Sequence, residues 1–222
     1  MNRGRVRVKI CGHTRPADID ASIQAGADAI GVITDVSVET PRAVNRDTAR
    51  DLLATIPPFV TGVAVTMPEN ATEALRVVDA VQPDALQVHG PFPPDELQIL
   101  AARIDIPLIR ALAVTDRDAI KVASEHADGI LLDNVDDDGG GGTGEQTDWT
   151  RAAELVRAVP TPIILAGGLT PDTVADAIRT VRPYGVDVAS GVEANGGVKN
   201  HDAVHRFVRE SMTTAEVSRQ CQ

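Results

Sequence analysis

The chain has 222 residues, 43% of them apolar, and its 32 acidic against 21 basic side chains give a formal net charge of −11. That balance excludes a nucleic-acid-binding surface, which needs a cationic footprint. No stretch reaches the roughly 20 apolar residues of a membrane span, and MNRGRVRVKICG at the start holds no long apolar segment, so a soluble, cytoplasmic protein is expected.

In chain order, short β-branched apolar runs alternate with segments of helical period. Val6–Cys11 predicts a strand and Pro16–Ala25 a helix, then Ala29–Thr34 and Arg46–Ile56, then Val60–Thr66 and Ala71–Val81. Ala85–His89 with Pro94–Arg103, Pro107–Val114 with Arg117–His126, and Gly129–Asp133 with Trp149–Val159 continue the alternation. Pro162–Ala166 with Pro171–Val181 and Gly185–Ala189 with His201–Ser211 complete it. Thr14 with Pro16, Asn45 with Asp47, Asn70 with Glu73, Asp148, and Thr170 with Pro171 and Asp172 read as helix starts. Eight strand–helix units imply parallel strands with right-handed crossovers, and eight such strands close a (β/α)8 TIM barrel. The expected layout is one barrel domain over 1–212 and a polar, fraying tail over 213–222. Only five residues are aromatic, so the core has to be Val, Ile, Leu and Ala, which suits parallel strands covered on both faces.

Cys11 and Cys221 stand at opposite ends with no CxxC or Cys/His cluster, so neither a disulfide framework nor a metal site is expected. Three of the basic residues are Lys (Lys9, Lys121, Lys199) and the rest Arg; acid excess with scarce Lys suggests adaptation to high salt. The melting temperature is then expected to rise between low salt and molar KCl; a flat response contradicts the reading.

Barrels of this kind place chemistry at the C-terminal strand ends. The seventh and eighth strands end in Gly167-Gly168 and Ser190-Gly191, where backbone amides can hold a phosphate. The glycine run at 139–144, in a loop between the sixth strand and helix, matches G-x-G-x-x-G but opens no Rossmann unit, so a dinucleotide is rejected and a lid is expected. Cys11 and Asp133 end the first and sixth strands, three positions apart in a ring of eight. A thiolate can remove a carbon-bound proton and a carboxylic acid can donate one, which asks for a lowered Cys11 and a raised Asp133 pKa. Taken on spacing alone, a buried core cysteine and a capping or loop carboxylate are the stronger readings. Arg42 could fork a substrate carboxylate or be a solvated charge, and His89 could meet a ligand or be satisfied at the barrel rim.

At these positions the chain resembles the phosphoribosylanthranilate isomerases. The matching segments are VKICGHT (8–14), TPR (40–42), LQVHG (86–90), LLDN (131–134), GGTG (141–144) with DW (148–149), LAGGLTPDTVADAI (165–178), GVDVASGVE (185–193) and GGVKNHDAVHRF (196–207), in the family's order. The resemblance implies an Amadori rearrangement of N-(5-phosphoribosyl)anthranilate to 1-(2-carboxyphenylamino)-1-deoxyribulose 5-phosphate, in tryptophan biosynthesis, without cofactor or metal. It implies Asp133 as the acid on the ring oxygen and Cys11 as the base at C2′. It sets Arg42 at the anthranilate carboxylate and the phosphate at Gly167, Gly168, Ser190 and Gly191, with the glycine-rich loop, Gly144 included, closing above; His89, from its place at the end of the fourth strand, is expected as a further substrate contact. Partners are then a small phosphoribosyl substrate and, for assembly, a monomer or homodimer. Departures from the family pattern are Glu145 after GGTG, expected to point outward, the acidic insert Asp136–Asp138, and Ala189 where a second serine is common. Alternatives are another phosphosugar barrel, an indole-3-glycerol-phosphate synthase or an epimerase, and a non-catalytic phosphate-ligand sensor. The synthase should carry lysines at strand ends, whereas only Lys9 shares Cys11's inward direction and the other two fall in or beside helices.

Overall fold

Eight parallel strands pair in the order of the chain and close on themselves, with β8 hydrogen-bonded to β1. The structure, a computed structural model, describes residues 5–134 and 147–220, of which 214–220 by backbone alone. The strands are β1 (Arg7–Ile10), β2 (Ala29–Ile33), β3 (Thr61–Thr66), β4 (Ala85–Val88), β5 (Leu108–Ala113), β6 (Gly129–Asp133), β7 (Ile163–Leu165) and β8 (Gly185–Val188). The helices between and after them are α1 (Pro16–Ala25), α2 (Arg46–Leu53), α3 (Ala71–Val81), α4 (Pro94–Ala101), α5 (Arg117–His126), α6 (Trp149–Ala158), α7 (Val174–Val181) and α8 (His201–Gln220). The expected single-domain (β/α)8 barrel is what forms.

Period-two alternation sorts the strand residues into two cores. Val8, Ile10, Ile30, Leu86, Leu132, Leu165 and Val186 point outward and pack with Phe207, Val174 and the other helix residues in one large cluster. Lys9, Cys11, Gln87, Asp133 and Asp187 alternate with them and point to the barrel interior, where small apolar clusters such as Val63, Val65 and Ala85 fill the remaining space. The register Lys9↔Asp187 across β1 and β8 sets two inward polar side chains beside each other. Among the described residues, no helix is long and apolar enough to cross a membrane.

Three of the expected helix starts hold as side-chain caps: Asn45 accepts from the Thr48 N–H, Asn70 from Glu73 and Asp148 from Arg151. Two do not. The residue before α1 is Arg15, which makes no side-chain cap; the Thr14 hydroxyl turns instead to the Gly197 carbonyl at 2.7 Å. Residues 171–173 form a turn closed by Thr170 and Thr173, so α7 begins at Val174. Two further departures concern the end of the chain. α8 does not stop at Ser211 but continues to Gln220. Between β8 and α8 runs an unexpected antiparallel hairpin, β9 (Glu193–Asn195) and β10 (Val198–Lys199), turning at Gly196-Gly197. Lys199 therefore stands on a strand just ahead of α8 and is 3% exposed.

Candidate active site

Cys11, Arg42, His89, Asp133, Gly167, Gly168, Ser190 and Gly191 all border one cleft at the C-terminal mouth of the barrel. Of the residues singled out from the sequence, Gly144 with Glu145 and the acidic insert lie outside the described residues.

Cys11 follows β1 directly, and its N–H is held by the Val188 carbonyl at 2.8 Å. Its side chain packs on Val63, Val65 and Ala85 yet still reaches the cleft. The lowering of its pKa asked for above is not what the site produces. Burial pushes the thiol up; the Lys9 ammonium pulls it back, Asp187 pushes it up again and Lys199 pulls it down. Asp133 ends β6 on the other side of the mouth, 8% exposed, with Oδ1 accepting the Asn134 N–H at 2.8 Å.

The glycine-lined end of the cleft comes from the loops after β7 and β8. Gly167 and Gly168 take φ of 80° and 65°, the left-handed region that only glycine enters freely. A Cβ on Gly167 would strike the Thr147 hydroxyl, which is bonded to the Ala166 carbonyl at 2.9 Å. Ser190–Val192 is one short 3-10 turn, a common device at the phosphate end of such barrels. Gly191 is there for a steric reason: its Cβ would collide with the Leu169 carbonyl oxygen, so the β7 and β8 loops touch backbone to backbone. Gly191→Ala is therefore expected to cost roughly 1–3 kcal/mol of stability through forced backbone movement, read in a thermal melt; an unchanged melting temperature contradicts that packing.

Arg42 departs from expectation. Its Nε and Nη2 fork already grips Glu193 on the hairpin, at 2.9 and 2.7 Å, so that bidentate pair is internal. Nη1 makes no hydrogen bond to the described residues, and Arg42 is one of the residues lining the cleft. Burial pushes Glu193 up, but hydrogen bonds from Arg42 and Lys199 hold its carboxyl below the ordinary value. His89 is pushed down to about 3 by burial, with Lys9 and Arg110 adding to the shift, so the imidazole is neutral. The Gln87 amide donates to its Nε2 at 2.5 Å. Gln87 Oε1 is then a buried acceptor with no partner among the described residues, on a residue that lines the cleft. Arg110, 6% exposed, braces this corner by donating to the carbonyls of Val88 and Gly90 at 2.9 and 2.6 Å.

The residues not singled out as site residues are Lys9, Asp187, Gln87, Glu193 and Lys199. Inward direction two residues before Cys11 was the available signal for Lys9, and Gln87 shows the same spacing from His89. Asp187 carries it too, two before Ala189. For Glu193 and Lys199 the signal was Asn195-Gly196, a hairpin dipeptide flanked by both.

A thiol and a carboxyl thus border one cleft whose far end is lined by glycine backbone. The model of the family described as N-(5'-phosphoribosyl)anthranilate (PRA) isomerase matches residues 8–210. The N-(5'-phosphoribosyl)anthranilate isomerase of the halophilic archaeon Haloarcula marismortui is 51% identical over 210 residues, covering 95% of this chain and 98% of its own length. A crystal structure of phosphoribosyl anthranilate isomerase in complex with reduced 1-(o-carboxyphenylamino)-1-deoxyribulose 5-phosphate superposes with a TM-score of 0.76 at 34% identity, covering 93% of this chain and 98% of that one. Monomers generated from the dimeric Thermotoga maritima isomerase superpose with a TM-score of 0.77 at 32% identity, with coverage of 93% and 98%. With this fold and this cleft, the chain belongs to the N-(5'-phosphoribosyl)anthranilate isomerase family.

Proposed function

We propose that the chain isomerises N-(5'-phosphoribosyl)anthranilate to 1-(2-carboxyphenylamino)-1-deoxyribulose 5-phosphate, a step of tryptophan biosynthesis, with Asp133 as acid and Cys11 as base. Asp133 gives its proton to the ribose ring oxygen; the C1′–O bond breaks and the anthranilate nitrogen lone pair forms the C1′=N Schiff base. The Cys11 thiolate takes the C2′ proton, the electrons move to nitrogen, and the enolamine tautomerises to the ketone. The phosphate rests on the amides around Gly167, Gly168, Ser190 and Gly191. The observation that carries this reading is that Cys11 and Asp133 border the same cleft as that cradle. Conversion of the anthranilate substrate by the purified protein is the test. Binding of the phosphosugar with no turnover would leave only the sensor.

The anthranilate carboxylate is assigned to the Nη1 edge of Arg42, with the Glu193 pair holding the guanidinium in place. Arg42→Ala is expected to raise KM about tenfold or more, since a hydrogen bond to a charged group is worth about 1.5–3 kcal/mol; an unchanged KM contradicts the assignment. Arg42→Lys is expected to substitute poorly, because an ammonium cannot keep the fork on Glu193 while offering a second edge.

We place the enzyme in the cytoplasm, where a reducing medium keeps the buried Cys11 thiol free. Its assembly is a monomer or a homodimer. Phe59, at φ 74° and fully exposed beside a cavity at the opposite mouth of the barrel, is the feature that favours the dimer, and sedimentation of the wild type against Phe59→Ser separates the two.

A further inference from the structure

The interior of the barrel holds an ion pair that the packing alone does not need. Lys9 is 4% exposed, and its ammonium meets Asp187 Oδ1 at 2.9 Å across the β1–β8 ladder. The inward residues around it, Ala29, Val63 and Ala85, are apolar. A buried pair of this kind is generally no more stabilising than apolar residues of the same volume. Its position suggests another use. Lys9 lies two residues before Cys11 on the same face of β1. A Cβ built on Gly31 of β2 would come within 2.7 Å of the Cys11 sulfur and 3.1 Å of the Lys9 Nζ, so the thiol and the ammonium flank a single small gap. Asp187 borders the substrate cleft, whereas Lys9 lies below it.

We propose that Lys9 is the positioning cation for Cys11: its ammonium, locked by Asp187, stabilises the thiolate that takes the C2′ proton. This rests on Cys11 being the base. The other ionisable groups around Cys11 are Asp187 on β8, Lys199 and Glu193 on the hairpin, Arg42 after β2, His89 after β4 and Asp133 on β6. β2 and β3 present Ala29, Gly31, Ile33, Val63 and Val65 to it, none of them ionisable. Of the cations, Lys199 turns its Nζ to the Cys11 carbonyl at 2.5 Å and to Glu193, and Arg42 is committed to Glu193. Lys9 is left as the cation at the sulfur. Burial works against its charge, but Asp187 and Cys11 hold it above the ordinary lysine range, so it keeps its proton throughout the reaction. Lys9 never touches substrate; it acts through the thiol.

The experiment uses the full chain with Cys221→Ser, so that Cys11 is the one thiol. Its alkylation rate by iodoacetamide is followed against pH, together with the pH profile of kcat/KM, in wild type, Lys9→Met and Lys9→Arg. Lys9→Met is expected to move the midpoint of thiolate formation and of the kcat/KM rise upward by one pH unit or more, a tenfold loss of thiolate at fixed pH. Lys9→Arg is expected to restore most of it. Should Lys9→Met fail to fold with Asp187 left unpaired, Lys9→Met with Asp187→Asn is used, and its midpoint is still expected above wild type. Unmoved midpoints in a folded Lys9→Met or double variant overturn the proposal. Failure of the underlying reading looks different: Cys11→Ala then turns over normally, whatever Lys9 does.

Discussion

Replacing Cys11 by Ala or Asp133 by Asn is expected to lower kcat by about 10²–10⁴, the contribution of a positioned acid or base, while the melting temperature moves little. Both changes are mild for the fold. Cys11→Ala removes one sulfur from the edge of a small cluster that opens on the cleft. Asp133→Asn keeps the shape and an oxygen to accept the Asn134 N–H. Only the proton chemistry is lost. Because both groups serve one reaction, the double variant is expected to be hardly slower than the worse single one. Near-normal rates in either single variant would remove that residue from the mechanism.

Lys199→Met is expected to be the most damaging single change to stability. The ammonium has no exposed surface and donates to the Cys11 carbonyl at 2.5 Å, the Ala189 carbonyl at 3.2 Å and Glu193 Oε1 at 2.9 Å. It ties the hairpin to the ends of β1 and β8. Removing one partner of a buried pair costs about 3–5 kcal/mol, or roughly 10 °C in melting temperature for a chain of this size. The pH dependence follows from the sign of the Glu193 shift. Burial alone would raise that carboxyl, but Arg42 and Lys199 hold it below its ordinary value. Its contribution is therefore present above the unfolded-state carboxylate pKa and is lost as pH falls through the lower folded value. Thermal melts of wild type and variant are expected to converge as pH drops below the ordinary carboxylate range. A constant gap at all pH values would contradict the role of the pair.

The barrel was legible because its strands carry continuous apolar runs and its loops carry capping residues, both local signals. The acid and base were legible only as strand-end residues; the family resemblance, not spacing, assigned their roles. What stayed hidden was set by contacts across the ring. Arg42 and Glu193 lie far apart in sequence, so the internal fork that fixes the guanidinium could not be read from TPR alone. The hairpin was missed because β9 and β10 are too short to carry a period, and with it the burial of Lys199. The state of Cys11 also depends on tertiary neighbours: burial, which the sequence could not weigh, outweighs the two lysines.

The most direct measurement is a crystal structure with reduced 1-(o-carboxyphenylamino)-1-deoxyribulose 5-phosphate bound. The expected result sets the Cys11 sulfur against C2′, the Asp133 carboxyl by the oxygen derived from the ribose ring, and the phosphate on the amides of Gly167, Gly168, Ser190 and Gly191. A phosphate seated elsewhere, or either side chain turned away from the sugar, would contradict it.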